Sequence, residues 1–506
     1  MIDARKDNLN RILLLGIILI SWALLTWQLG QRSLWVDEFL SLSMSQGALS
    51  DVVAASMADL HPPLYFLALH VWAALIGTSD FALRYLSVAF AVVGLALMPI
   101  VARRWAGSRT AVPATVLLGL APAFIEISRM ARYYSLLLML GLLSTRLLFD
   151  ALARSDWKRW IAYVLSGLAL LYTFYPSGIL ILAHVLMIVW PARKRIAIRR
   201  WLIAIGAIGA GFAPWLAAIA ARQITNIASS PGADLARSGI GFVLGVATSL
   251  YTFSVGETIF PWQPAAWVGV LTVVVLLIAG LRQRSGGWPS AGMFLIGIAF
   301  ISLVTTFVSV STPFLNVPVR GLFVLPFYLL IVAIGLASIA ARRIRIGLTG
   351  VLLIVWGIGT ANNFAGQQSL NPIYLTPSKE AAAFVRHAAA STDLVISDYD
   401  SIFGFYFLPG GSTPPHLYTS QVDDIRTALD ATQPPRVWLI TIGRDQTQRD
   451  STVGLVRGAL SKAYRLAQTF DYLPIDPTYL RVKEWLLRRE SYTHRLTVEL
   501  YEQESR

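Results

Sequence analysis

A polytopic α-helical membrane protein with a C-terminal α/β domain is the fold class this sequence predicts, on three observations. The 506 residues are 56% hydrophobic and only 14% charged, with a mean hydropathy of +0.60, outside the range of ordinary soluble domains. Apolar runs of about 17–21 residues, matched to a bilayer core, recur up to residue 361 and then stop. Charge divides at the same place. Residues 1–361 carry 27 Lys+Arg against 12 Asp+Glu, whereas residues 362–506 carry 15 against 16. The basic excess of the whole chain, +14, therefore belongs to the membrane half, where basic loops orient spans, and no nucleic-acid partner is needed to explain it. With no cysteine, disulfides, thiolate metal sites and a Cys nucleophile are excluded.

Taken in order, the first run, Ile12 to Trp27, follows Arg5, Lys6 and Arg11 and lacks a small-residue cleavage signature. It reads as a retained span rather than a signal peptide. Further spans are expected at 81–101, 111–127, 133–150, 160–175, 177–190, 200–221, 265–281, 289–310, 320–341 and 345–361. Segments 62–77 and 239–256 are apolar but interrupted, one by His70 and the other by Gly, Ser and Thr positions. Parity assigns them. If both lie on the membrane surface, the loops on the N-terminal side collect 19 of the 27 basic residues, as the positive-inside bias requires. The expectation is about eleven spans, with the N-terminus in the cytoplasm and the C-terminus outside. A thirteen-span count is the alternative. The domains are then 1–361, with outer loops at 30–80 and 222–264, and an extracytoplasmic 362–506.

That topology places Asp37, Glu38, Asp51, Asp59, His61, Asp80, Glu126, Asp234 and Glu257 on the outer face. The basic residues beside them are all arginine: Arg32, Arg84, Arg129, Arg132, Arg222, Arg237 and Arg320. Arginine's planar fork suits bidentate phosphate recognition, so acids and arginines among lipid-facing helices fit a phosphorylated lipid. Asp37 and Glu38 follow Trp35, an interfacial anchor, and a carboxylate there could act as a general base toward an acceptor hydroxyl. The competing reading is a polar loop. His61-Pro62-Pro63 is either a helix start or a contact to phosphate or acceptor. Arg129 and Arg132, with Tyr133 and Tyr134, form either a phosphate clamp or a snorkelling turn, and Arg320 invites the same two readings. His184, within a span, reads as a helix–helix hydrogen-bonding residue.

Beyond Asn362 and Asn363 hydropathy collapses. Helical patterns at 378–390, 422–431 and 451–463 alternate with short apolar runs at Leu394 to Ile396, Phe403 to Leu408, Val437 to Ile442 and Arg495 to Leu500. Turns such as Pro409-Gly410-Gly411 separate them. This predicts a compact α/β domain without phosphate-loop or dinucleotide fingerprints.

In order, W-V-D-E-F-L-S at 35–41, H-P-P-L-Y-F at 61–66, G-T-S-D-F-A-L-R-Y at 77–85, S-R-M-A-R-Y-Y-S-L at 128–136 and R-G-L-F-V-L-P at 320–326 resemble the polyprenyl-phosphate-dependent GT-C glycosyltransferases. The likeness is to the family 39-like (PMT-type) bacterial proteins, among them the lipid A aminoarabinose transferases, and it covers roughly residues 10–345. It implies a multi-pass protein of the bacterial plasma membrane that takes a sugar from a polyprenyl-monophosphate carrier to an acceptor on the outer face, with inversion. Asp37 becomes the candidate base and Glu38 shapes the acceptor site. His61, Arg129, Arg132, Tyr133 and Arg320 become phosphate or substrate contacts. Partners are then the lipid-linked donor, an unspecified lipid, polysaccharide or protein acceptor and the membrane lipids. No metal or other cofactor is obligatory, although Asp37 and Glu38 could hold a divalent cation. A flippase of lipid-linked saccharides would call for inverted repeats and midplane charges, which are not visible. A non-catalytic scaffold would leave the acids and arginines unexplained.

Overall fold

The computed structural model describes residues 2–59, 61–154, 156–189, 195–229, 239–283, 291–308, 318–366, 369–399, 402–410, 414–442, 452–472, 477–487 and 495–504. Asp234, Arg237 and the basic residues at 193–194 lie outside them. The chain resolves into two units. One comprises Met1–Leu29 with Ser41–Ala361, the other Gly30–Leu40 with Asn362–Arg506. The short segment bearing Asp37 and Glu38 thus folds with the C-terminal unit, while residues 41–80 stay with the membrane unit.

The membrane unit begins with α1 (Ile2–Thr26), then α3 (Leu49–Ala58) and α4 (Leu64–Ile76), with α2 (Val36–Met44) between them in sequence. It continues through α5 (Asp80–Ala106), α6 (Ser108–Leu120), α7 (Pro122–Ser128), α8 (Tyr134–Arg154) and α9 (Trp157–Thr173). The Ser79 side chain accepts from the Ala82 amide and caps α5. The chain bends by 55° between α6 and α7, where Pro122 cannot continue the hydrogen-bond ladder and opens a new first turn instead. Among the described residues seven helices are long and apolar enough to cross a membrane, or eight if the bent α6–α7 pair is one span. The protein is a multi-pass membrane protein. The further spans expected at 160–175, 177–190 and 289–310 correspond to α9, of 17 residues, the interrupted apolar stretch Tyr175–Val189, and Ala291–Val308. Segment 62–77 contains the 13-residue α4, and 239–256 the 17-residue helix Gly239–Val255.

His184 sits at the break in Tyr175–Val189. It is fully buried, its Nε2 3.2 Å from Thr145 Oγ1 and its Nδ1 3.1 Å from the Tyr163 hydroxyl. Those bonds between helices offset the cost of a polar ring in an apolar layer, as the sequence suggested.

The C-terminal unit is a five-stranded sheet. Its strands are β1 (Leu394–Ser397), β2 (His416–Tyr418), β3 (Arg436–Ile442), β4 (Tyr464–Tyr472) and β5 (Leu496–Gln503), in the order β2-β1-β3-β5-β4. β1 is parallel to β2 and β3, and β5 is antiparallel to β3 and β4. Side chains alternate between faces, as a strand period of two dictates. Val395, Trp438, Ile440, Val498 and Leu500 pack with helix Ser378–Ala388, whereas Leu394, Ile396, Val437 and Leu439 pack with Val422–Thr432 and Thr452–Leu460. The apolar run at 403–408 is helical rather than extended. In the helix Phe403–Phe407, Phe403 and Phe407 stand one turn apart, stack at 5.0 Å and are both fully buried, so a period near four buries what alternation would expose.

Candidate active site

Asp37 and Glu38 lie in the first turn of α2, where the exposed amides and dipole of a helix start favour carboxylates. Glu38 is almost wholly buried, and its Oε2 accepts from the Trp35 amide at 3.2 Å. It closes the start of its own helix. Asp37 is half-buried beside it. The two adjacent acids are thus different in kind, one turned into local structure and the other left nearer solvent. Within the membrane unit, the Ser41 hydroxyl accepts from Arg132 Nη1 at 3.1 Å.

Around Arg132 the membrane unit gathers three residues singled out from sequence. Arg132 is 3% exposed, and its guanidinium lies 5.2 Å from the Tyr133 ring centroid, within cation–π range. The His61 ring is 5.9 Å from Tyr133 and 6.3 Å from Phe66. His61 Nδ1 stands 2.7 Å from the Asp59 carboxylate and 3.1 Å from the Asp59 carbonyl. The Arg132 carbonyl accepts from Ser87 Oγ at 3.1 Å, and Tyr65 Oη lies 3.0 Å from that hydroxyl. Tyr133 stacks on Phe174 at 5.2 Å. A buried cation with its fork held between a serine and an aromatic face, next to an imidazole, can bind an anion.

Arg129 is placed differently. Its Nη2 donates to the Trp27 carbonyl at 2.5 Å and Arg84 donates to the Leu29 carbonyl at 2.9 Å, so both cations serve carbonyls just past the end of α1. Arg320 is half-buried in the 3₁₀ turn Pro318–Val324, which packs against α8. Among the described residues, no group of three or more His, Asp or Glu side chains is arranged to hold a metal.

The sequence reading gave Glu126 and Glu257 no role. Glu126 is on α7, and Glu257 follows the helix Gly239–Val255, which packs on α7. Both are buried. Burial, then the nearby Glu126, pushes the Glu257 carboxyl well above the usual carboxylate range. The intervening Gly256 has φ +84, and a Cβ there would stand 2.7 Å from Pro122 Cβ, so only glycine brings this turn so close to α7. That glycine, just before an acid, was the available sequence signal.

The chain is thus a bundle of apolar helices whose first interhelical segment carries an acidic pair, and it continues into an α/β domain. Residues 60–217 match the family described as dolichyl-phosphate-mannose-protein mannosyltransferase. The apo crystal structure of ArnT from Cupriavidus metallidurans is similar at a TM-score of 0.50 and 13% identity, covering 98% of each chain. The same protein bound to undecaprenyl phosphate gives 0.49 and 13%, covering 96% of this chain and 97% of that one. A mutant of the arabinofuranosyltransferase AftD from Mycobacteria gives 0.50 and 14%, over 98% of this chain and 42% of that one. No curated protein sequence matches. The likeness to these structures is one of fold, a polytopic helical membrane protein of the GT-C type.

Proposed function

We propose that this protein moves one sugar from a polyprenyl-monophosphate carrier to an acceptor hydroxyl on the outer face of a bacterial plasma membrane, with inversion at the anomeric carbon. The observation that carries this reading is the match of residues 60–217 to a family described by a lipid-phosphate sugar donor, dolichyl-phosphate-mannose. The matched stretch contains His61, Arg132 and Tyr133, which lie together. The N-terminus is cytoplasmic, and the first outer loop and the C-terminal unit are extracytoplasmic, as basic-loop parity favours.

In this mechanism Asp37 takes the proton of the acceptor hydroxyl as its oxygen attacks the anomeric carbon. The bond from that carbon to the phosphate oxygen breaks, and its electron pair leaves with the polyprenyl phosphate. Glu38 keeps the first turn of α2 closed and so shapes the acceptor side. Arg132 supplies countercharge to the departing phosphate, with His61, Tyr133 and Arg320 as further contacts to the substrate. Arg129, whose described bond goes to a backbone carbonyl, is a further phosphate contact. A divalent ion is not required by this scheme; bound at the acidic pair it would add the same kind of countercharge.

The test is transfer by the purified full-length protein from polyprenyl-phosphate sugars, wild type against Asp37→Asn. General-base removal predicts a rate loss of about 10²–10⁴-fold. Full activity in Asp37→Asn removes Asp37 from the role, and a wild type that transfers from no such donor removes the reaction.

A further inference from the structure

The segment Gly30–Leu40 is bonded into the C-terminal unit across sequence separations of 331 to 372 residues. Arg32 Nη1 donates to Asn363 Oδ1 at 3.2 Å. Lys379 holds two points, its Nζ donating to the Gly30 carbonyl at 3.1 Å and its backbone amide to Ser33 Oγ at 2.9 Å. Ser33 Oγ in turn donates to Glu380 at 3.2 Å. The Leu34 amide donates to the Tyr406 hydroxyl at 2.7 Å. On the other side of the acidic pair, Phe39 meets the rings of Tyr399 and Phe405 at 5.5 and 5.6 Å.

These contacts lie on both sides of Asp37 and Glu38. The Leu34 amide belongs to the lead-in of α2, and a buried amide requires an acceptor. The Tyr406 hydroxyl supplies it three residues before Asp37. Tyr406 is itself held, because Arg386 donates to its carbonyl and the Lys379 ammonium lies 5.9 Å from its ring. Tyr406 comes from the helix Phe403–Phe407, which stacks Phe403 on Phe407 in the sheet core. The path from that core to the first turn of α2 is one hydroxyl long.

We propose that the C-terminal unit positions the acidic motif, with Tyr406 as the positioning residue that fixes the Leu34 amide and through it the aim of the Asp37 carboxylate. The inference rests on the reading of Asp37 as the general base. A base displaced by about 1 Å can lose about 10²-fold in rate while substrate binding survives, so the signature is in kcat.

Full-length Tyr406→Phe, which keeps the ring and removes the acceptor, is measured two ways. Steady-state transfer is expected to show kcat, expressed per folded protein by thermal unfolding and size-exclusion chromatography, reduced about 10- to 100-fold with the donor KM within about twofold. Hydrogen exchange of the peptide spanning 33–39 is expected to accelerate, with the strands β1 and β3 unchanged. Wild-type kcat, or unaltered exchange at 33–39, overturns the proposal. Should Tyr406→Phe fail to fold, Lys379→Met is read by the same two measurements, with Lys379→Arg expected to restore the Gly30 contact and kcat. If the wild type transfers no sugar, the function fails as proposed, and exchange at 33–39 alone decides whether Tyr406 holds the segment.

Discussion

Replacing Arg132 by glutamine tests the phosphate role most directly, and its size follows from where the guanidinium sits. The side chain is 3% exposed, its fork directed by Ser41 at 3.1 Å and backed by the Tyr133 ring at 5.2 Å. A charge-assisted hydrogen bond in such a site contributes about 1.5–3 kcal/mol. At about 1.36 kcal/mol per decade of rate, its loss lowers kcat/KM roughly 10- to 150-fold. The distribution of that loss is also predicted. In the proposed donor the phosphodiester carries one negative charge, and the departing monoester gains a second, so the arginine contact strengthens toward the transition state and the loss falls mainly in kcat. Losing the cation–π contact removes a further 0.5–2 kcal/mol or so from folded stability, read separately by thermal unfolding. Arg132→Lys keeps charge without the fork and should lie between the two. Arg132→Gln with kcat/KM within twofold of wild type, in a protein of normal stability, would refute the assignment.

Two pH predictions follow from a buried carboxyl, Glu257, and a half-buried imidazole, His416. For Glu257 the folded value lies above the unfolded one, so its contribution to stability is fully present below the ordinary value of 4.5 and is lost as pH rises toward the raised folded value. Each pKa unit of elevation corresponds to about 1.36 kcal/mol. Glu257→Gln should therefore flatten the decline and unfold at a higher temperature than wild type at neutral pH, by tryptophan fluorescence in detergent; an unchanged pH slope defeats the idea. His416 runs the opposite way. Its Nε2 lies 2.8 Å from Ser397 Oγ at the end of β1, and burial lowers the ring from 6.5 to about 4. Its stabilising contribution is present above pH 6.5 and is lost as pH falls toward 4. Hydrogen exchange across 394–442 should accelerate over that window in wild type and less steeply in His416→Gln, and equal slopes would count against it.

What could be read from sequence depended on how local the governing interaction is. The membrane class and the α/β tail were visible because span length and strand alternation repeat over ten or twenty residues. The run at 403–408 was ambiguous, since a short apolar stretch fits either period until Phe403 and Phe407 are seen stacked. The turn at 128–134 offered two arginines three residues apart. Arg132 reached the ring of Tyr133, which also meets His61, while Arg129 donated to the carbonyl of Trp27, a contact set by where α1 ends. The acidic motif shows the limit most clearly. Its composition identified Asp37 and Glu38 as candidates, but Glu38 closes its own helix. The segment's partners, Tyr406, Lys379 and Asn363, lie more than three hundred residues away. Hydrogen bonds at such separations leave no periodicity to detect. A chain that ties its candidate base to a domain without recognisable chemistry has given that domain a testable place in the reaction, since Tyr406→Phe and Arg132→Gln must both lower kcat while only the former loosens residues 33–39.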